Sequence, residues 1–201
     1  MTLALIDFGA GNLHSVANAL AAAGCTDLAV TADPDVVARA DRIVLPGVGA
    51  FGACAAALRG IDGMVGALER RALTEARPFL GICVGMQLMA EAGEELGTHR
   101  GLGWLAGTVR RLEPADFATK VPHMGWNDVV PTMDHPLIVP GEAYFLHSFA
   151  FEGAGVLATT DHGGPVTAAI GRDNLAGVQF HPEKSQRYGL DLLARFLEWR
   201  P

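Results

Sequence analysis

The first half of the chain alternates short apolar runs with segments of helical spacing: LALIDF before LHSVANALAAAG, DLAVTA before DPDVVARA, DRIVLPG before ACAAALRG and MVGALERRALTEA, RPFLGIC before MQLMAEAGEE. A strand that is apolar throughout must be covered on both faces, so strands and helices taking turns predict a parallel sheet between two helical layers. From Leu102 the texture changes. GTVRRLE, WNDVVPT, EAYFLHSF, GVLATTD, PVTAAIG and LAGVQF are β-like pieces separated by Gly, Pro and Asp turns, which predicts mixed or antiparallel sheet. The final segment, RYGLDLLARFLEW, sets Leu190, Leu193, Phe196 and Leu197 at helical spacing and predicts a helix laid back on that sheet. With no repeat, low-complexity tract or linker, residues 1–201 read as one α/β domain.

Composition narrows the function classes. No apolar run approaches the roughly 18 to 20 residues that span a bilayer, and the N-terminus lacks a basic region and a cleavage site. The expectation is a soluble cytoplasmic protein. Cys25, Cys54 and Cys83 are widely spaced and form no C-x-x-C pair, so neither a disulfide framework nor a metal site is expected. A formal charge of -7, with no basic cluster larger than a pair, argues against a nucleic-acid partner.

Chemistry concentrates at strand-to-helix corners. Gly47-Val48-Gly49-Ala50-Phe51-Gly52 fits G-x-G-x-x-G, but a dinucleotide site needs it after the first strand, with an acidic residue ending the next. Here it follows the third predicted strand and the next one ends in Cys83. What remains is a loop of backbone N–H groups suited to an oxyanion. Gly9-Ala10-Gly11-Asn12 reads as a tight turn, with or without a ligand.

Gly81-Ile82-Cys83-Val84-Gly85 reproduces the nucleophile elbow G-x-S-x-G with sulfur in place of oxygen. The glycines relieve crowding at a strained turn, and the dipole at the following helix start favours thiolate over thiol. Cys25 and Cys54 sit on no such corner and read as small core residues. Of seven histidines, His181 alone brings its own acid: in Gly177-Val178-Gln179-Phe180-His181-Pro182-Glu183, extended residues two apart project to one side. Pro182 would hold the segment out of a helix, letting Glu183 orient an imidazole whose other nitrogen faces Cys83.

GICVGMQ and GVQFHPEKS resemble the class I, triad-type glutamine amidotransferases over essentially the whole chain. IDFGAGNLHSV, LPGVGAFG, VPHMGWN and YFLHSF further resemble, within that class, the glutaminase subunits of imidazole glycerol phosphate synthases. The resemblance implies a flavodoxin-like fold: a central mixed, mostly parallel sheet flanked by helices, with additional antiparallel strands in the second half. It implies glutamine hydrolysis by Cys83 with His181 and Glu183, and no cofactor. The oxyanion would be held by backbone at Val84 and in the Gly47-Val48-Gly49 loop, which has to flip to aim a donor inward. Gln87, Glu95 and backbone around Ser148 and Phe149 would grip the substrate; Phe149 departs from the tyrosine common there. Trp126, Asn127 and Tyr144 would face a separate (β/α)8-barrel cyclase subunit in a heterodimer, since the amidotransferase domain uses the entire chain. An amidotransferase subunit for another acceptor, or a stand-alone cysteine hydrolase, are the alternatives.

Overall fold

The computed structural model describes residues 1–116 and 118–201. The first four strands are β1 (Leu3–Ile6), β2 (Leu28–Thr31), β3 (Arg42–Leu45) and β4 (Phe79–Ile82). Between and around them run α1 (Leu13–Ala22), α2 (Pro34–Val37), α3 (Phe51–Gly60), α4 (Met64–Glu69) and α5 (Val84–Gln87). Strands β1, β3 and β4 are buried at every residue, as the unbroken apolar runs require of strands covered on both faces. All pairings among the four are parallel, in the order β2-β1-β3-β4.

The second half supplies β5 (Ala90–Gly93), β6 (His99–Arg100), β7 (Leu105–Arg111), β8 (His123–Pro131), β9 (Gly141–His147), β10 (Phe149–Gly153), β11 (Val156–Asp161), β12 (Pro165–Arg172) and β13 (Leu175–Val178). Five of them extend the main sheet to nine strands, β2-β1-β3-β4-β13-β12-β11-β8-β9, and from β13 onward every pair is antiparallel. The pairing that matters most for function is β13 against β4. It is parallel, in register Val178 to Ile82, and it sets the residues after β13 beside those after β4. The helix α6 (Gln186–Glu198) closes the fold, burying Leu192, Leu193, Phe196 and Leu197. Leu190 is only partly buried against the core, so the stripe is rotated slightly from the one the spacing predicts.

Two local expectations are corrected. The segment MQLMAEAGEE is not a helix: α5 stops after one turn and Ala90–Gly93 is strand β5, in a four-stranded sheet β10-β7-β5-β6. Main-chain partners outside the segment decide it, since Gly101, Leu102 and Gly103 donate to the carbonyls of Glu91, Leu88 and Ala90 that a continuing helix would have used. Likewise, Pro182 does not keep its surroundings extended. It opens a 3-10 turn, Pro182–Lys184, at the first position, where the missing N–H costs nothing.

No single helix among the described residues is long and apolar enough to cross a membrane.

Candidate active site

Cys83 occupies the corner between β4 and α5 with φ 54 and ψ -114, a conformation that costs a non-glycine residue about 1 to 3 kcal/mol. The surroundings impose it. Cys83 N–H donates to Val178 O at 2.8 Å, and the chain then turns so sharply that a Cβ on Gly85 would lie 1.8 Å from Leu45 O. A Cβ on Gly81 would lie 2.7 Å from Gly85 O. The two glycines that mark the elbow in the sequence are thus required by close backbone approach on both sides of the sulfur.

His181 arrives on the chain that leaves β13. Its N–H donates to Tyr144 O at 2.9 Å, and the Ser185 hydroxyl donates to His181 O at 2.7 Å while accepting Tyr144 N–H at 2.9 Å. These bonds fix the histidine backbone to β9. The imidazole Nδ1 meets Glu183 Oε1 at 2.8 Å, with both side chains almost fully buried. The pairing foreseen between His181 and Glu183 therefore forms, but through the 3-10 turn. The other ring nitrogen is left free of Glu183, and the imidazole lines the same cavity as Cys83. Burial alone would lower the His181 pKa; the Cys83 and Glu183 hydrogen bonds and charges outweigh it and raise the value to about 9.

Cys83, His181, Val48, Gly49, Val84, Gln87, Glu95, Ser148 and Phe149 all line one cavity of about 250 Å³. Its size suits a small polar molecule. Glu95 Oε2 accepts Phe51 N–H at 2.7 Å, tying this loop carboxylate to the start of α3. Gln87 Nε2 donates to Phe149 O at 2.9 Å and to Gln179 Oε1 at 3.0 Å, so both amide hydrogens point into the protein and its carbonyl oxygen is left for a ligand. Val84 N–H, expected to hold an oxyanion, donates at 3.3 Å to Gly47 O. Gly49 has φ 102, a glycine conformation, beside that peptide.

Trp126 and Tyr144 are register partners on β8 and β9 with rings 6.1 Å apart, edge to face, and Trp126 is 47% exposed. With Met124 and Leu146, also exposed, they form an apolar strip running to the cavity rim, where Lys184 sits 6.0 Å from the Tyr144 ring. Asn127 is turned away from that strip by the alternation of the strand. Its amide bonds His123 and Asp161 O instead.

Besides Leu146, sequence reasoning missed three residues of the cavity and its wall. Gln179 Nε2 approaches Cys83 Sγ at 3.7 Å, and His147 and Lys184 line the cavity. Gln179 was detectable by the same two-residue spacing that linked His181 to Glu183. His147 carries no adjacent acid and gave no local signal.

The glutamine amidotransferase class-I family matches residues 4–199. The chain belongs to the class-I glutamine amidotransferases. Among these amidotransferases, its similar relatives include an imidazole glycerol phosphate synthase subunit HisH from Zymomonas mobilis, 63% identical and covering 100% of this chain and 97% of the relative. A protein of the same description from Rhodospirillum rubrum is 55% identical over 100% of both chains. Among solved structures, a glutamine amidotransferase crystal structure aligns with TM-score 0.75 at 18% identity over 98% of both chains. The Trypanosoma brucei CTPS glutaminase domain with bound acivicin aligns with TM-score 0.64 at 17% identity, covering 100% of this chain and 95% of that one. At such identities the structural likeness speaks for the amidotransferase fold.

The geometry predicts selective labelling. Burial, followed by the Cys83 and Glu95 charges, pushes the Cys54 thiol up to about 11, and burial also raises Cys25. Only Cys83 faces a cavity with an imidazole at hand. A glutamine-like electrophile is expected to modify Cys83 first, read by mass spectrometry of the digested protein; equal labelling of Cys25 or Cys54 would contradict the assignment.

Proposed function

We propose that this chain is the glutaminase subunit of imidazole glycerol phosphate synthase, acting in histidine biosynthesis as a single unit over residues 1–201 in the cytoplasm. The observation that carries the chemistry is the buried array of Cys83, His181 and Glu183 at the carboxyl ends of adjacent parallel strands. Cys83 Sγ attacks the side-chain carbonyl carbon of glutamine, and the oxygen becomes an oxyanion. His181 gives its proton to the departing nitrogen, ammonia leaves, and a γ-glutamyl thioester remains on Cys83. Water then attacks the thioester while His181 takes the proton; the carbon–sulfur bond breaks and glutamate is released. Gln87 Oε1 and Glu95 receive the substrate ammonium, and backbone at Ser148 and Phe149 bounds the rest.

Ammonia made with no acceptor present is lost to solvent, so the acceptor site belongs to a second chain, a (β/α)8-barrel cyclase that docks on the strip of Trp126 and Tyr144. The Gly47–Val48 peptide supplies a gate. Its carbonyl occupies Val84 N–H at 3.3 Å, while Val48 N–H is on the opposite side of the same peptide plane. Rotating that plane frees one donor and aims a second at the oxyanion. Gly47 permits this close to Val84 and Gly85, where a Cβ would lie 2.8 Å from Gly85 N.

The lone chain is therefore expected to be a poor glutaminase, by about 10² to 10³ in kcat for each donor withheld. Binding of the cyclase with its nucleotide ligand relieves this by favouring the rotated peptide. Glutamate release by the lone chain, the complex, and the complex with ligand is the measurement. Full turnover by the lone chain would remove the gate and leave a constitutive hydrolase.

A further inference from the structure

His123 and His147, buried register partners on β8 and β9, approach each other at 3.1 Å, Nδ1 to Nε2. Among the described residues neither ring has a carboxylate partner. Burial, with the neighbouring His162 charge, lowers His123 to about 4; burial, with charges on His123, His162 and His181, lowers His147 to about 3 against the opposing bond to Phe149. Both imidazoles are neutral near pH 7, with one hydrogen each.

The partners decide where those hydrogens sit. His147 Nδ1 lies 3.0 Å from Phe149 O, which can only accept, so the hydrogen is on His147 Nδ1 and its Nε2 is a lone pair. His123 Nδ1 must then donate, which leaves His123 Nε2 to accept from Asn127 Nδ2 at 3.1 Å. Asn127 gives its other amide hydrogen to Asp161 O at 2.7 Å, and its Oδ1 accepts Asp128 N–H at 2.9 Å. Flipping that amide would set oxygen against oxygen at Asp161, so its orientation is fixed as well. The donors all run one way, from Asn127 through His123 and His147 to Phe149 O.

Phe149 O also accepts Gln87 Nε2–H, and Gln87 donates in turn to Gln179, whose amide approaches Cys83 Sγ. With Ser148 O held by Leu112 N–H at 2.9 Å, both carbonyls of the cavity's main-chain wall are turned into the protein. We infer that His123 and His147 are positioning residues for glutamine binding, a one-directional hydrogen-bond chain anchored at Asn127 that fixes the Phe149 carbonyl and, through it, the Gln87 side chain. This rests on the glutaminase reading above. Its effect falls on substrate affinity, because the chain holds the cavity wall and touches no reacting atom.

The test has two arms. In the intact chain labelled with ¹⁵N-histidine, long-range proton–nitrogen correlation is expected to show two rings with hydrogen on Nδ1 and a bare Nε2, unchanged between about pH 5.5 and 8. Hydrogen on Nε2 in either of these rings, or titration of either in that range, overturns the chain. In the activated complex, His147→Leu is expected to raise KM for glutamine about 10-fold while kcat changes less than about threefold. His147→Asn, whose amide can take the place of Nδ1–H on Phe149 O, is expected to recover most of that loss. An unchanged KM in folded His147→Leu protein overturns the positioning role, and the tautomer arm decides if that variant does not fold. Absence of glutamate release by the wild-type complex would instead overturn the glutaminase reading, and this one with it.

Discussion

Replacing Cys83 with alanine is expected to abolish glutamine-dependent synthesis, by at least about 10⁴-fold, while synthesis from added ammonium salt by the chain paired with its cyclase is retained. The first half follows from the cavity, which the Cys83 thiol on its elbow lines together with the His181 imidazole. The second follows from the proposed division of labour between chains, in which free ammonia enters after the step assigned to Cys83. Alanine keeps the elbow: Gly81 and Gly85 supply its close approaches, and Cys83 N–H still reaches Val178 O. The thermal midpoint is thus expected to stay near that of the wild type. Coupled assays with glutamine and with ammonium salt decide it. Loss of both activities in folded protein would mean that ammonia is not handed between separate sites.

His181→Ala is expected to cost glutaminase activity about 10² to 10⁴-fold, and Glu183→Gln clearly less. In the proposed mechanism the imidazole moves the proton at both steps, whereas the carboxylate, 2.8 Å from Nδ1, orients the ring and stabilises its cationic form. An amide in place of Glu183 keeps a polar partner at Nδ1 but removes the negative charge that helps raise His181 to about 9. The alkaline limb of the pH–rate profile is therefore expected to move to lower pH in Glu183→Gln. The same raised pKa links to stability: its contribution is complete below the ordinary histidine value near 6.5 and is lost as pH rises through about 9. Steady-state kinetics in the activated complex, with a pH series, make the comparison. A Glu183→Gln variant more damaged than His181→Ala would reverse the roles of base and orienter.

The parallel half of the sheet, the elbow at Cys83 and the pairing of His181 with Glu183 were legible because each rests on neighbours in sequence. Periodicity marks strands and helices, two glycines flanking a cysteine mark a corner that other residues cannot make, and a two-residue separation keeps an acid near its histidine. Where the expectation failed, it failed for want of distant partners. MQLMAEAGEE carries good helix formers, yet hydrogen bonds with residues 101–103 draw its second half into a strand. Pro182 has the same fixed φ in an extended segment or at the start of a turn, and the Ser185 and Tyr144 bonds chose the turn.

From the sequence alone came the class of fold, the cysteine on its elbow and the histidine paired with an acid, since those depend on residue type at short spacing. Tertiary structure alone decided that β13 returns parallel to β4, which is what carries His181 from almost a hundred residues away to Cys83. It also decided that Gly47 O sits on Val84 N–H, and that Asn127 turns inward to a pair of histidines. Such choices are settled by competition among hydrogen-bond partners far apart in the chain, and the winner is fixed only once the sheet order has brought the competitors together.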